Sequence, residues 1–111
     1  MKRAYELMVI IDSDVTAADV DSVVTRVAGL VENEGATIAS TDNWGRREFA
    51  YEINHKTEGT YVVWQIVTET AGLPVVERQL RIADDIVRHK LFRLPEREAI
   101  RRGLLAGATA E

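Results

Sequence analysis

The chain has 111 residues, 46% of them hydrophobic and 29% charged, with a formal net charge of −4 and no cysteine. That length suits one domain with one sizeable core, and the missing cysteine excludes disulfides, cysteine nucleophiles and thiolate metal sites. The apolar run Leu7–Ile11 is too short to span a membrane and no cleavage-like region follows it, so neither a membrane segment nor a signal sequence is expected and the cytoplasm is the default compartment.

Residues 4–12 read as a first strand. Thr16 and Asp19 have the spacing of a capping box. Val20, Val23, Val24, Val27, Leu30 and Val31 then recur at helical spacing. Valine is a poor helix former, so burial rather than propensity must hold this helix. Gly35 sits where a left-handed residue would end it. Residues 36–53 read as a second strand, interrupted near Trp44 and Gly45. Asn54 to Gly59 is a polar turn in which Gly59 can take positive φ. Thr60 to Thr68, rich in β-branched and aromatic residues, is a third strand. Leu73, Val76 and Leu80 mark a short second helix with Pro74 in its first turn. Residues 86–94 make a fourth strand.

The order β-α-β-β-α-β predicts an α+β, ferredoxin-like sandwich, a four-stranded antiparallel sheet with two helices on one face. The domain is expected to span residues 1–96, and residues 97–111 to form a C-terminal tail that is partly disordered.

Alternation along the strands raises a problem of cover. Tyr5, Leu7, Val9 and Ile11 fall on one face of the first strand, Met8 and Ile10 on the other. In the third strand Val62, Trp64 and Ile66 oppose Tyr61, Val63 and Val67. Both faces are therefore largely apolar, yet two helices cover only one. The other is expected to be a protein contact surface, for a different protein, for a second copy, or for the tail through Ile100, Leu104 and Leu105.

Catalytic signals are thin. His55 and His89 have no partners at metal-ligand spacing. Asp12 with Asp14, and Asp84 with Asp85, read as turn and cap residues before they read as paired acids or a cation site. No phosphate-cradling glycine loop or nucleophile elbow occurs. Basic charge is the stronger signal. Residues 6–34 hold seven acids and one base, whereas residues 78–103 hold eight bases and four acids. Such separation places a basic patch on an acidic protein. Lys2, Arg3, Arg46, Arg47, Arg88, Lys90 and Arg93 are the candidates for holding a phosphate backbone. Arg88, Lys90 and Arg93 do not all share strand parity, so at least one points elsewhere. The third strand lacks the glycine-rich aromatic pattern of single-strand RNA readers, which favours folded RNA recognised by shape.

Tyr5-Glu6-Leu7-Met8-Val9-Ile10, Trp44-Gly45-Arg46-Arg47, Phe49-Ala50-Tyr51-Glu52-Ile53, Gly59-Thr60-Tyr61 and Asp85-Ile86-Val87-Arg88-His89 together resemble the family of the sixth protein of the bacterial small ribosomal subunit, from about residue 3 to residue 95. The resemblance implies a ferredoxin-like fold, binding to 16S ribosomal RNA and pairing with the eighteenth small-subunit protein, with no catalysis and no cofactor; no metal, DNA or membrane partner is expected either. A homo-oligomer is not expected. Arg46, Arg47 and Arg88 match basic positions of the family, and Tyr51 an aromatic one. Glu48 and Glu52 depart from it, standing where the family often has a basic residue and a proline. Tyr5, Trp44, Tyr51, Tyr61 and Trp64 are the expected protein-partner surface. The competing reading of the residues is a homodimeric ferredoxin-like domain with a small-molecule regulatory or enzymatic role, burying the second face sheet to sheet.

Overall fold

The alternation in the first strand and the helical spacing of the valines place their residues as expected. In the computed structural model, which describes residues 2–105, β1 (Arg3–Asp12) lies inside the sheet. It pairs antiparallel with β3 (Lys56–Thr68) on one side and β4 (Ile86–Arg93) on the other. The edge strand β2 (Thr37–Ile53) pairs with β3, giving the order β2-β3-β1-β4. Helices α1 (Ala17–Asn33) and α2 (Pro74–Ile82) cover one face, completing the ferredoxin-like β-α-β-β-α-β sandwich. The core between the layers joins Leu7, Val9 and Ile11 to Val62, Trp64 and Ile66, under Val23, Val27 and Val31 of α1 and Val76 and Leu80 of α2. Burial of that valine stripe offsets the low helix propensity of α1.

Caps set the helix ends. Thr16 Oγ1 accepts from the Asp19 amide at 3.3 Å, which is the threonine half of the expected box. Gly35, at φ +89°, ends α1. The N-cap residue of α2 is Leu73, whose side chain cannot cap it. The cap comes instead from Glu34, at the end of α1. Its carboxylate accepts from the amides of Val75 (3.1 Å) and Val76 (2.9 Å). An anion there satisfies two orphan donors and meets the positive end of the helix dipole. Glu34→Ala should therefore cost about 1.5–3 kcal/mol, the scale of hydrogen bonds to a charged group. Chemical denaturation checks this, with an unchanged m-value expected.

The β2–β3 hairpin differs from expectation in two places. Its turn is only two residues long, because Ile53 pairs with Lys56 and both Asn54 (φ 49°) and His55 (φ 65°) take positive φ. That is the conformation a tight type I′ hairpin demands, and asparagine tolerates it better than most residues. Gly59 is thus not a turn residue. It lies inside β3, where a Cβ would meet Ile10 Cγ2 at 2.7 Å and the Ile11 carbonyl oxygen at 2.8 Å. The interruption at Trp44 and Gly45 is a bulge within a continuous strand, with a register shift between Asn43 and Gly45 and Gly45 at φ +86°.

The expected boundary between residues 96 and 97 falls inside a third helix, α3 (Glu96–Arg101). Ala99 packs on Ala4 and Leu94, with Leu104 and Leu105 against them. Arg102 reaches Glu98 (2.6 Å) and Glu6 (3.7 Å). The start of the tail thus covers the Ala4 end of the second face; residues 106–111 of the expected tail lie outside the described residues.

Candidate nucleic-acid interface

Cross-strand register assigns each candidate to a face. On β4, Arg88 pairs with Ile10 and Lys90 with Met8, so both stand on the face that α1 and α2 leave open. Arg93 pairs with Tyr5 and stands on the other face, toward the opposite end of β1. The paired arginines of β2 are likewise split by alternation. Arg46 pairs with Thr60 on the helix side, donates to the Ser13 carbonyl at 2.9 Å and lies 3.7 Å from Glu58. Arg47 pairs with Gly59 on the open side, its guanidinium 5.4 Å from the centre of the Trp44 ring. Glu48 pairs with Glu58, on the side of Arg46. Arg3 donates to the Glu69 carbonyl at 2.8 Å, and exposed Lys2 lines a surface pocket that Leu104 also borders. The seven candidates therefore divide, with Arg88 and Lys90 on β4 and Arg47 on β2, at opposite edges of the open face and toward the same end of the sheet.

The aromatic candidates divide as well. Trp44 stacks on Tyr61 with ring centres 6.4 Å apart and planes 6° from parallel, and its indole N–H donates to Asp42 at 3.2 Å. Phe49 meets Tyr61 edge-on at 6.2 Å. Tyr51 is 68% exposed on the hairpin. Tyr5 and Trp64, by contrast, are 7% and 0% exposed within the helix-side core. They are packing residues and do not belong to a partner surface, because the helices return over the face formed by odd positions of β1 and even positions of β3. Phe92, 47% exposed, joins the open face; its only signal in the sequence is the parity it shares with Arg88 and Lys90.

These residues frame a cleft of about 330 Å³, with Met8 and Ile10 as floor, Phe49, Tyr51, Ile53 and Tyr61 on the hairpin side, and Arg88, Lys90 and Phe92 on the β4 side. The hairpin is held over it from both flanks. Asn54 donates to the Val87 carbonyl at 3.2 Å, and Lys56 contacts Asp14 (2.8 Å) and Asp12 (3.2 Å). The hydrogen bond from the Lys56 ammonium holds the Asp14 carboxyl below the usual carboxylate range, and the same bond raises Lys56. Arg26 likewise lowers Asp85, through a two-pronged contact at 2.7 and 3.0 Å. Those pairs neutralise cations elsewhere. Arg47, Arg88 and Lys90 have no ion pair among the described residues. His89 faces Glu77 at 3.3 Å on the helix side. No group of three metal-ligating side chains comes together among the described residues, and none of their helices is long and apolar enough to cross a membrane. The arrangement offers unpaired cations and half-exposed rings on one sheet face, which suits binding an anionic, partly aromatic surface.

The profile of the family Ribosomal protein S6 matches residues 4–93. The chain is 40% identical over 93 residues to small ribosomal subunit protein bS6 of Carboxydothermus hydrogenoformans, covering 84% of this chain and 97% of that protein. It is 41% identical over 98 residues to the protein of the same name from Micrococcus luteus, covering 88% and 96%. The crystal structure of 30S ribosomal protein S6 from Thermotoga maritima superposes with a TM-score of 0.85 at 31% identity, covering 93% of this chain and 97% of that one.

Proposed function

The chain belongs to the ribosomal protein S6 family, structural proteins of the bacterial small ribosomal subunit and not enzymes, and from that premise we propose that its open sheet face docks it onto 16S ribosomal RNA beside the eighteenth small-subunit protein. The observation that carries the reading is that Arg47 on β2 and Arg88 and Lys90 on β4, without ion pairs among the described residues, all stand on the face the helices leave bare. Cations so placed meet phosphates without first breaking an internal pair. Lys2, Arg3 and Arg93 lie toward the other end of β1, with Arg3 and Arg93 on the helix-side face and so outside this patch. Arg46 supports the site by tying β2 to the Ser13 carbonyl.

Trp44 and Tyr61 supply the protein-facing part of the same surface. Their stacked rings give a rigid apolar contact of the kind that anchors interfaces. In this reading the particle, not a second copy of the chain, covers the face, and the protein works in the cytoplasm as part of the ribosome.

An affinity-tagged chain expressed in a bacterium should sediment with small subunits and recover 16S RNA and the eighteenth protein at native salt. Recovery only from the free protein pool, or as a tight homodimer lacking both, would overturn the reading.

A further inference from the structure

We propose that the cleft between the hairpin and β4 takes a single unpaired RNA base, flipped out of its stack, with the flanking phosphates on Arg88 and Lys90. This rests on the RNA-binding reading above and adds the part of the RNA that the face selects.

The cleft has an aliphatic floor, from Met8 and Ile10, and its rims carry Tyr51 on one side and Phe92 on the other. Tyr51 and Phe92 are 68% and 47% exposed and have no aromatic partner among the described residues. Trp44 differs, being engaged already with Tyr61, Arg47 and Asp42. Among the described residues no carboxylate lines the cleft, while Arg88 and Lys90 do. The complementary ligand is therefore flat, apolar on its faces and anionic at its edge, which is the chemistry of a nucleotide.

Other ligands match fewer of these features. Duplex RNA would satisfy Arg88 and Lys90 through phosphates, but its bases are stacked inside the helix and its major groove is too narrow for side chains to read. Tyr51 and Phe92 would then stay wet. A polypeptide could cover the rings, but unless acidic it would leave both cations without counter-charge in a desolvated contact. An extruded base stacks on aromatic rings whatever its identity, and its own backbone supplies the anions. At about 330 Å³ the cleft is near the lower limit for ligand sites, large enough for one base and too small for a paired helix. Tyr51 then belongs to the RNA contact, leaving Trp44, outside the cleft, to the protein partner.

The test uses the full chain, labelled for amide NMR, with three RNA hairpins: one carrying a single bulged adenosine, one with an abasic residue at the bulge, and one fully paired. The bulged hairpin should shift the amides of Met8, Ile10, Tyr51 and Lys90 and bind roughly tenfold or more tighter than the abasic one. Tyr51→Ala and Phe92→Ala should erase that margin, and Tyr51→Phe should keep it. Both positions are exposed, so the variants should retain the wild-type spectrum elsewhere. Equal affinity for the bulged and abasic hairpins would overturn the proposal, as would shifts that bypass the cleft. It would equally be overturned if the eighteenth small-subunit protein alone shifted the cleft amides and excluded the bulged hairpin. A chain that assembles into small subunits yet shows no base margin defeats the cleft assignment alone. A chain that shows the margin but never assembles defeats the ribosomal reading.

Discussion

Gly59→Ala should destabilise the domain by about 1–3 kcal/mol, the usual cost of overpacking a core, and lower its thermal midpoint by roughly 4–8 °C for each kcal/mol. The cause is the close approach of β3 to β1. An added methyl would lie 2.7 Å from Ile10 Cγ2 and 2.8 Å from the Ile11 carbonyl oxygen. The first neighbour is a side chain only 3% exposed, and the second is backbone inside the sheet, so neither yields cheaply. The ring of Phe49 stands 3.2 Å away on the third side, which couples the clash to the rim of the cleft. Gly59→Val should cost more. Gly29 provides the control. It lies inside α1 with nothing within 4 Å of a built Cβ, so Gly29→Ala should raise stability by up to about 1 kcal/mol through helix propensity. Thermal unfolding of the two alanine variants gives opposite signs if the close approach is real, and equal signs if it is not.

Reversing Arg47, Arg88 and Lys90 together to glutamate should abolish incorporation into small subunits while leaving the fold intact. All three side chains are exposed, and none holds an ion pair among the described residues. Every phosphate that the variant no longer neutralises takes about 0.7–0.9 from the slope of log affinity against log salt, so the triple variant should flatten that slope by roughly two to three. Arg46→Glu should behave differently. Arg46 spends its donors on Ser13 and Glu58, so its reversal should disturb the hairpin and alter the salt slope little. Filter binding to 16S RNA across a salt series separates the two outcomes. A slope unchanged in the triple variant would remove these residues from the RNA interface.

Arg46 and Arg47 mark the point at which local pattern stops deciding the site. They are adjacent and chemically alike. Alternation implies that they point apart, but the direction each takes depends on the bulge at Trp44 and Gly45, which resets parity along β2. Tyr5 and Trp64 follow the same rule. Their positions within their strands were legible, yet which face the helices cover was not, and that choice put both in the core. Phe92 was legible by parity with Arg88 and Lys90 but had no neighbour in the chain to draw notice.

By itself, the sequence determined the β-α-β-β-α-β order of the sandwich, though not the third helix after it, together with the helical valine stripe, the Thr16 cap, the end of α1 at Gly35 and the family. These rest on period, propensity and local capping, which act within a few residues, and on motifs spread along the chain. Tertiary structure alone decided the Glu34 cap on α2, the closeness of Gly59 to Ile10, the packing of α3 on Ala4, and the meeting of Tyr51, Arg88 and Phe92 around one cleft. Each of these joins residues tens of positions apart, so its geometry exists only after the sheet has set its register and the helices have chosen a face.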